Sequence, residues 1–300
     1  MQQNAKKQHQ FYDDLTRSEI YQFTSASQGH LPRSALNSFV WNFKLSSLYM
    51  RRPKREILFG SLPGNLFLAE FEMSRTKAKR VLIICYSYSG QTSGLLRKLA
   101  EGLERREMDV SIEKLSPNNT LQFPFGSIPT TLAMMLITFF RKRIPIAELS
   151  VKCSHEYDLI ILAGPTWSYH PSGPVLSLFD RDGNRLFQGR TVIPLISCRG
   201  YWRAHWYGLR QKLRQCGATI PNLIVFTHPS REPWRTLGVF LKLAGKNPEQ
   251  SRLMKKVYPK YGHGKNQLVE AMRFGELIGQ ALSQETSLEE LNFKTRSAMP

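Results

Sequence analysis

The chain is poor in the features that most readily declare a function. Its four cysteines, Cys85, Cys153, Cys198 and Cys216, make no Cys-x-x-Cys pair and have no histidine at zinc-ligand spacing, so they read as reduced thiols of a cytoplasmic protein. Long apolar runs are missing. The longest, Ile128 to Phe140, is broken by Pro129 and by threonines and falls well short of the ~20 residues that a membrane-spanning helix needs. The N-terminal stretch MQQNAKKQHQFYDD is polar and shows no signal peptide. Acidic residues are scarce, 23 Asp and Glu against 42 Lys and Arg, which gives a net charge of +19 and a pI near 10.0. Such an excess calls for an anionic partner: a phosphorylated cofactor, an acidic membrane surface or nucleic acid. No nucleic-acid-binding module is legible, which ranks that partner last.

What is present is enough for one large domain. The 300 residues are 41% hydrophobic, sufficient for a sizeable core. Residues 1–72 hold 9 of the Lys and Arg and 6 of the Asp and Glu, so most of the charge excess lies on the remainder, as a broad basic face. These first 72 residues have weak periodicity and carry no chemical motif; they read as a poorly structured extension or short helical arm. The domain is placed at 73–300, with insertions at about 117–150 and 228–262.

The domain is organised around VLIICYSYSGQTSGLLRKLAEGL, Val81 to Leu103. An apolar strand ends in the hydroxyl-rich turn Ser87-Tyr88-Ser89-Gly90-Gln91-Thr92. A helix follows with Leu95, Leu96, Leu99 and Leu103 on one face. A strand, a polar turn and a helix start make a phosphate site, because the helix N-terminus offers unpaired N–H groups and the positive end of its dipole. Neither a Walker Gly-Lys-Ser/Thr nor a Gly-x-Gly-x-x-Gly turn occurs here. An ordinary serine-capped turn is the alternative.

Further strands are expected at Asp109–Leu115, Asp158–Ala163, Thr191–Ser197 and Asn222–Thr227, alternating with helices. The third is a continuous apolar run, as in a strand buried on both faces, and it leads into the turn Gly164-Pro165-Thr166-Trp167. The fourth leads into Ser197-Cys198-Arg199-Gly200-Tyr201-Trp202. Five βα units predict a doubly wound parallel sheet, order 2-1-3-4-5, with helices on both faces and a ligand crevice at the carboxyl ends of strands one and three. The insert QFPFGSIPTTLAMMLITFFRKRIP is read as core, as a hydrophobic lid, or as a helix resting on anionic lipid with its basic end at the headgroups. WRTLGVFLKLAGK lies in the stretch 231–260, whose local charge is +6. It is read as a basic amphipathic helix at a membrane surface or as a packed helical excursion.

Ser-x-Ser-Gly-Gln-Thr after a first strand resembles the phosphate loop of flavodoxin-like proteins, and Gly164-Pro165-Thr166-Trp167 resembles their isoalloxazine loop. Met73, followed by SRTKAKR and then the strand, resembles the start of such chains, so translation from Met73 is one expectation. Across about Lys79 to Lys246, the stretches CYSYSGQT, DLIILAGPTWSYHPSGP and VIPLISCRGYWRAHW, with the Pro/Phe-rich insert, are similar to the flavodoxin-like family named dialkylresorcinol condensing enzymes. The resemblance implies FMN, bound by Ser87, Ser89, Gly90, Gln91 and Thr92 at its phosphate, by Pro165, Thr166 and Trp167 at its ring, and by Ser197, Arg199 and Gly200 at its pyrimidine edge. It also implies a homodimer.

The resulting expectation is an FMN-dependent oxidoreductase that passes a hydride to or from a hydrophobic ring or quinone-type substrate, such as the oxidation step of dialkylresorcinol formation. No condensing triad is recognisable, so carbon–carbon bond formation is set aside. Tyr169, His170 and His228 are candidate acid–base residues by placement, and Cys198 reads as a packing residue. NAD(P)H, if it is the electron donor, would share the crevice in turn. A flavodoxin-fold binding protein without redox activity and a basic anion-surface binder are the alternatives.

Overall fold

The computed structural model describes residues 78–119 and 121–299. The proposed N-terminal arm and the start at Met73 lie outside the described residues. The described elements are β1 (Arg80–Cys85), α1 (Gln91–Glu104), β2 (Asp109–Lys114), α2 (Ile128–Phe139), β3 (Leu159–Trp167), β4 (His170–Pro171), α3 (Gly173–Phe187), β5 (Val192–Cys198), α4 (Trp202–Gln215), β6 (Ile224–Thr227), α5 (Trp234–Leu243) and α6 (Lys265–Ser283). Five strands run parallel in the order β2-β1-β3-β5-β6, and the two-residue β4 pairs antiparallel with the end of β3. Without that short addition the order is 2-1-3-4-5, a flavodoxin-like doubly wound α/β fold.

Strand alternation divides the core. Val81, Ile83, Leu159, Ile161, Ile193 and Phe226 point to one side, where α1 and α6 bury Leu95, Leu99, Leu103, Ala271, Phe274 and Ile278. Leu82, Ile84, Ile160, Leu162, Val192 and Ile196 point to the other, against Leu178, Phe187, Leu209 and Leu213 of α3 and α4. Burial of both faces is why these strands read as unbroken apolar runs.

One expectation is corrected. β3 runs on through Gly164-Pro165-Thr166-Trp167, with Pro165 in register with Ser197 and Trp167 with His170. The turn is displaced to Ser168-Tyr169, both in left-handed conformation at φ 43° and 72°. That is the two-residue hairpin geometry for which Asn-Gly is the usual choice; a tyrosine held there is strained. The last helix buries its small residues: a Cβ on Gly275 would strike the Leu99 carbonyl and one on Gly102 the Met272 carbonyl. Ile278 of the same helix is buried, whereas Leu268, Met272 and Leu282 are only partly buried. The glycines let α1 and α6 cross with their backbones in contact.

The insert is not core. α2 is apolar almost all round, yet Thr131 is its one buried residue, while Ile128, Leu132, Met135, Leu136 and Phe139 are exposed. α5 buries Gly238 against the Tyr258 ring and leaves Trp234 and Leu237 exposed.

Candidate active site

The carboxyl ends of β1, β3 and β5 open into one cavity of about 450 Å³. Its wall includes Ser89, Gln91 and Thr92 of the first loop, Pro165, Thr166 and Trp167 of the second, and Ser197, Arg199 and Gly200 of the third. Three stretches far apart in the chain thus meet where the topology predicts a ligand. Ser87 and Gly90 are not part of that wall; Ser87 Oγ accepts from the Ser93 N–H at 3.2 Å. Of the acid–base candidates, Tyr169 and His228 line the cavity and His170 does not. His170 stands instead near Phe139, with burial and Arg141 both lowering its pKa.

The first loop is open at its helix end. Gly90 caps α1 at φ 78° without a side-chain hydrogen bond, a conformation for which glycine is the natural residue. A Cβ there would meet nothing within 4 Å. The N–H groups of Gln91 and Thr92 have no acceptor among the described residues. Tyr261, from the second insertion, reaches over this loop, its hydroxyl in hydrogen-bonding contact with Ser89 and Gln91.

Aromatic rings form the next part of the wall. Trp167 meets Tyr86 and Tyr88 edge-on, with centroids 5.6 and 5.7 Å apart. Tyr88 stacks with Phe125 at 5.6 Å, and Phe123 with Tyr261 at 6.0 Å. The remainder is aliphatic: Leu132, Met135, Leu136 and Phe139 of α2, and Val239, Phe240 and Leu243 of α5. Ser168 ties α2 to the strained hairpin, sharing a 2.6 Å hydrogen bond with Thr138 Oγ1 and donating to the Met135 carbonyl at 3.0 Å. Arg199 is the one charged side chain in the wall. Gly200 is less free than its sequence implies, because a Cβ there would meet the Arg235 guanidinium at 2.9 Å.

Neutral histidines set the polarity of the wall. Gln267 donates through Nε2 to the carbonyls of Thr227 (2.7 Å) and Ser297 (3.1 Å), so its Oε1 faces His263 Nδ1 at 3.2 Å. That fixes the proton on Nδ1 and leaves Nε2 to accept from the Ser197 hydroxyl at 2.8 Å. Ser197 therefore presents lone pairs to the cavity. His228 is the converse. Its Nδ1 accepts from the Ser230 N–H at 3.2 Å, so the proton sits on Nε2, a buried atom without a hydrogen-bond partner. The ring is held flat on Tyr258, with centroids 4.9 Å apart. In this tautomer His228 donates; it is not poised as a base. Thr166 Oγ1 is held by His205 Nδ1 at 2.6 Å. Burial pushes the Cys198 thiol up to about 12, so it stays protonated, as a packing residue does.

Burial lowers His205 to about 3, aided by His170; it lowers His228 to about 4, aided by Arg235; and it lowers His263 to about 4 against the hydrogen bond to Gln267. In the unfolded chain each titrates near 6.5. The unfolded state therefore binds more protons between these limits, and stability falls as the pH drops from about 6.5 toward 4, each histidine contributing on the order of a few kcal/mol. Urea midpoints are expected to be level above about pH 7.5 and clearly lower at about pH 5. A midpoint constant across that range would show these histidines free to charge in the fold.

Tyr261, His263, His205 and Arg235 were not visible as site residues in the sequence. The one signal for Tyr261 and His263 is a density of aromatics and histidine in Tyr258–His263, with no spacing that names a partner. Among the described residues no helix is long and apolar enough to cross a membrane.

No protein-family model matches the chain, and no curated protein does. Solved structures to which the chain is similar include a flavoprotein in complex with FMN from Lactobacillus acidophilus, 20% identical over 49% of this chain and 93% of that one, with a TM-score of 0.40. A flavodoxin from the domain Archaea is 14% identical over 68% of this chain and 99% of its own, with a TM-score of 0.40. A flavodoxin, WrbA-like, from Agrobacterium tumefaciens is 14% identical over 69% and 99%, with a TM-score of 0.37.

Proposed function

We propose that this chain is an FMN-dependent oxidoreductase acting on a hydrophobic ring or quinone-type substrate. The observation that carries the reading is the convergence of three loops on one cavity whose wall changes character along its length: open helix N–H groups, then aromatic rings, then aliphatic side chains. Each part fits a part of the ligand set. The N–H groups of Gln91 and Thr92, with the Ser89 and Thr92 hydroxyls, suit a phosphate monoester at the head of α1, and Ser87 holds the Ser93 N–H beneath it. Trp167 and Tyr88 suit a flat apolar ring. Ser197 offers an acceptor to a ring N–H, and the unpaired His228 Nε2–H offers a donor to a carbonyl, so both edges of a ring with mixed polarity are met. FMN, when bound, supplies hydride acceptance and donation at its ring nitrogen.

The protein's own part is to bind, orient and exclude water. Arg199, the one charged side chain among the described residues of the wall, stabilises negative charge that develops on a ring oxygen. The aliphatic residues of α2 and α5 hold a substrate too greasy for open solvent. Oxidation of a cyclic diketone to an aromatic resorcinol, the reaction implied by the family resemblance, is the substrate assignment we favour: the ring loses a hydride and a proton, and gains one double bond. The proton goes to solvent at the open rim beside Tyr169, since His228 already carries its proton on the free nitrogen.

The test is anaerobic. Protein loaded with FMN and reduced with dithionite should return to the oxidised spectrum on addition of a hydrophobic quinone, with stoichiometric quinol. Loaded, reduced protein that leaves the quinone untouched would contradict the redox reading.

A further inference from the structure

α2 is inverted relative to an ordinary surface helix. Its buried residue is a threonine, and its large apolar side chains face out: Ile128 45% exposed, Leu132 55%, Leu136 60% and Phe139 53%, with Phe140 just beyond its end at 72%. A helix that is apolar all round belongs in a core or in lipid, and a contiguous exposed apolar face of this kind marks an interaction surface. At twelve residues the helix is too short to span a bilayer. Directly after it come Arg141, Lys142 and Arg143. Arg143 is tied to Asp180 at 2.7 Å, whereas Arg141 and Lys142 make no ion pair with any described residue. Next to α2 stands α5, which exposes Trp234 and Leu237, each at 41%.

We propose that this face docks on the surface of an anionic phospholipid bilayer, with the α2 side chains in the acyl boundary and Arg141 and Lys142 among the headgroups. Charge decides between the occupants. A second copy of this chain brings the same apolar strip with the same basic flank and the same net +19, so the approach is opposed. An anionic bilayer offers hydrocarbon and negative charge together, each nearby Lys or Arg strengthening binding about fivefold. Trp234 supplies the kind of ring that settles at the headgroup level.

Leu132, Met135, Leu136 and Phe139 also line the cavity. Docking therefore sets the aliphatic wall of the cavity against the membrane, and a substrate dissolved in lipid reaches it past α2 without crossing water. That consequence rests on the function proposed above; the docking itself does not.

The full-length protein, without added flavin, is sedimented with vesicles of phosphatidylcholine mixed equally with phosphatidylglycerol, and with vesicles of phosphatidylcholine alone. Binding to the mixed vesicles and little to the neutral ones is expected, weakening as salt is raised. The double variant Phe140→Ser, Lys142→Glu changes two exposed side chains outside the cavity wall and should bind the mixed vesicles at least about tenfold more weakly, with an unchanged circular dichroism spectrum. Failure of the wild type to sediment with anionic vesicles overturns the proposal, and so does equal binding by the variant. A dimer in analytical ultracentrifugation that Phe140→Ser dissociates overturns it as well, since a second copy then covers the face. None of these outcomes depends on whether FMN binds.

Discussion

Replacing Gly90 by aspartate is expected to remove FMN binding while leaving the fold intact. The position holds φ 78° at the head of α1, and a side chain placed there projects into open space. Asparagine and aspartate tolerate the left-handed conformation better than other side chains, so Gly90→Asn serves as the neutral control of nearly the same shape. Aspartate brings a carboxylate to the spot where the phosphate meets the Gln91 and Thr92 N–H groups. Two like charges about 4 Å apart at an intermediate dielectric repel by roughly 2–4 kcal/mol, which is about thirtyfold to thousandfold in affinity. Riboflavin, which lacks the phosphate, separates the causes. It should bind Gly90→Asp and Gly90→Asn alike, whereas FMN should distinguish them sharply. Equal FMN affinity for the two variants would place the phosphate elsewhere.

The second large effect is at His228. Its Nε2–H is buried and has no hydrogen-bond partner among the described residues, a state that costs about 1–3 kcal/mol. Such a group persists when a ligand completes it. Phenylalanine keeps the stack on Tyr258 and deletes the unpaired donor, but it also takes away the acceptor used by the Ser230 N–H. The two changes roughly offset, so the apo protein's melting temperature should move little. Ligand binding should not be spared. Loss of the donor leaves a buried carbonyl unsatisfied at about 1–3 kcal/mol, which lowers flavin affinity or quinone turnover roughly five- to hundredfold. A large fall in stability with function unchanged would make His228 a core residue instead.

The order of the sheet was legible because β1, β3, β5 and β6 are buried on both faces and so read as apolar runs, because the edge strand β2 alternates in DVSIEK, and because α1 repeats leucine at helical spacing. The cavity was half legible. Its three loops carry hydroxyls, glycine and tryptophan in local order, and the topology rule places their ends together. The other half comes from residues 228–263, whose contribution depends on where α5 and the segment after it fold back. Tyr261 reaches the first loop and His263 reaches Ser197 only through tertiary packing, and nothing local to Tyr-Gly-His-Gly announces it. Gly164-Pro165 misled for a different reason. The pair reads as a turn, yet β3 carries it in register with β5 and makes its turn two residues after Thr166, in a strained Ser168-Tyr169. The insert was ambiguous in principle, since composition shows that Ile128 to Phe140 is apolar but not whether the apolar side faces in or out.

The most direct test of the whole account is the absorption spectrum of the purified full-length protein, followed by chromatography of whatever small molecule acid releases from it. A yellow protein with flavin bands, releasing FMN, is predicted, or a colourless one that turns yellow and quenches flavin fluorescence when FMN is added. Protein that stays colourless in excess FMN, or that releases FAD, would contradict it.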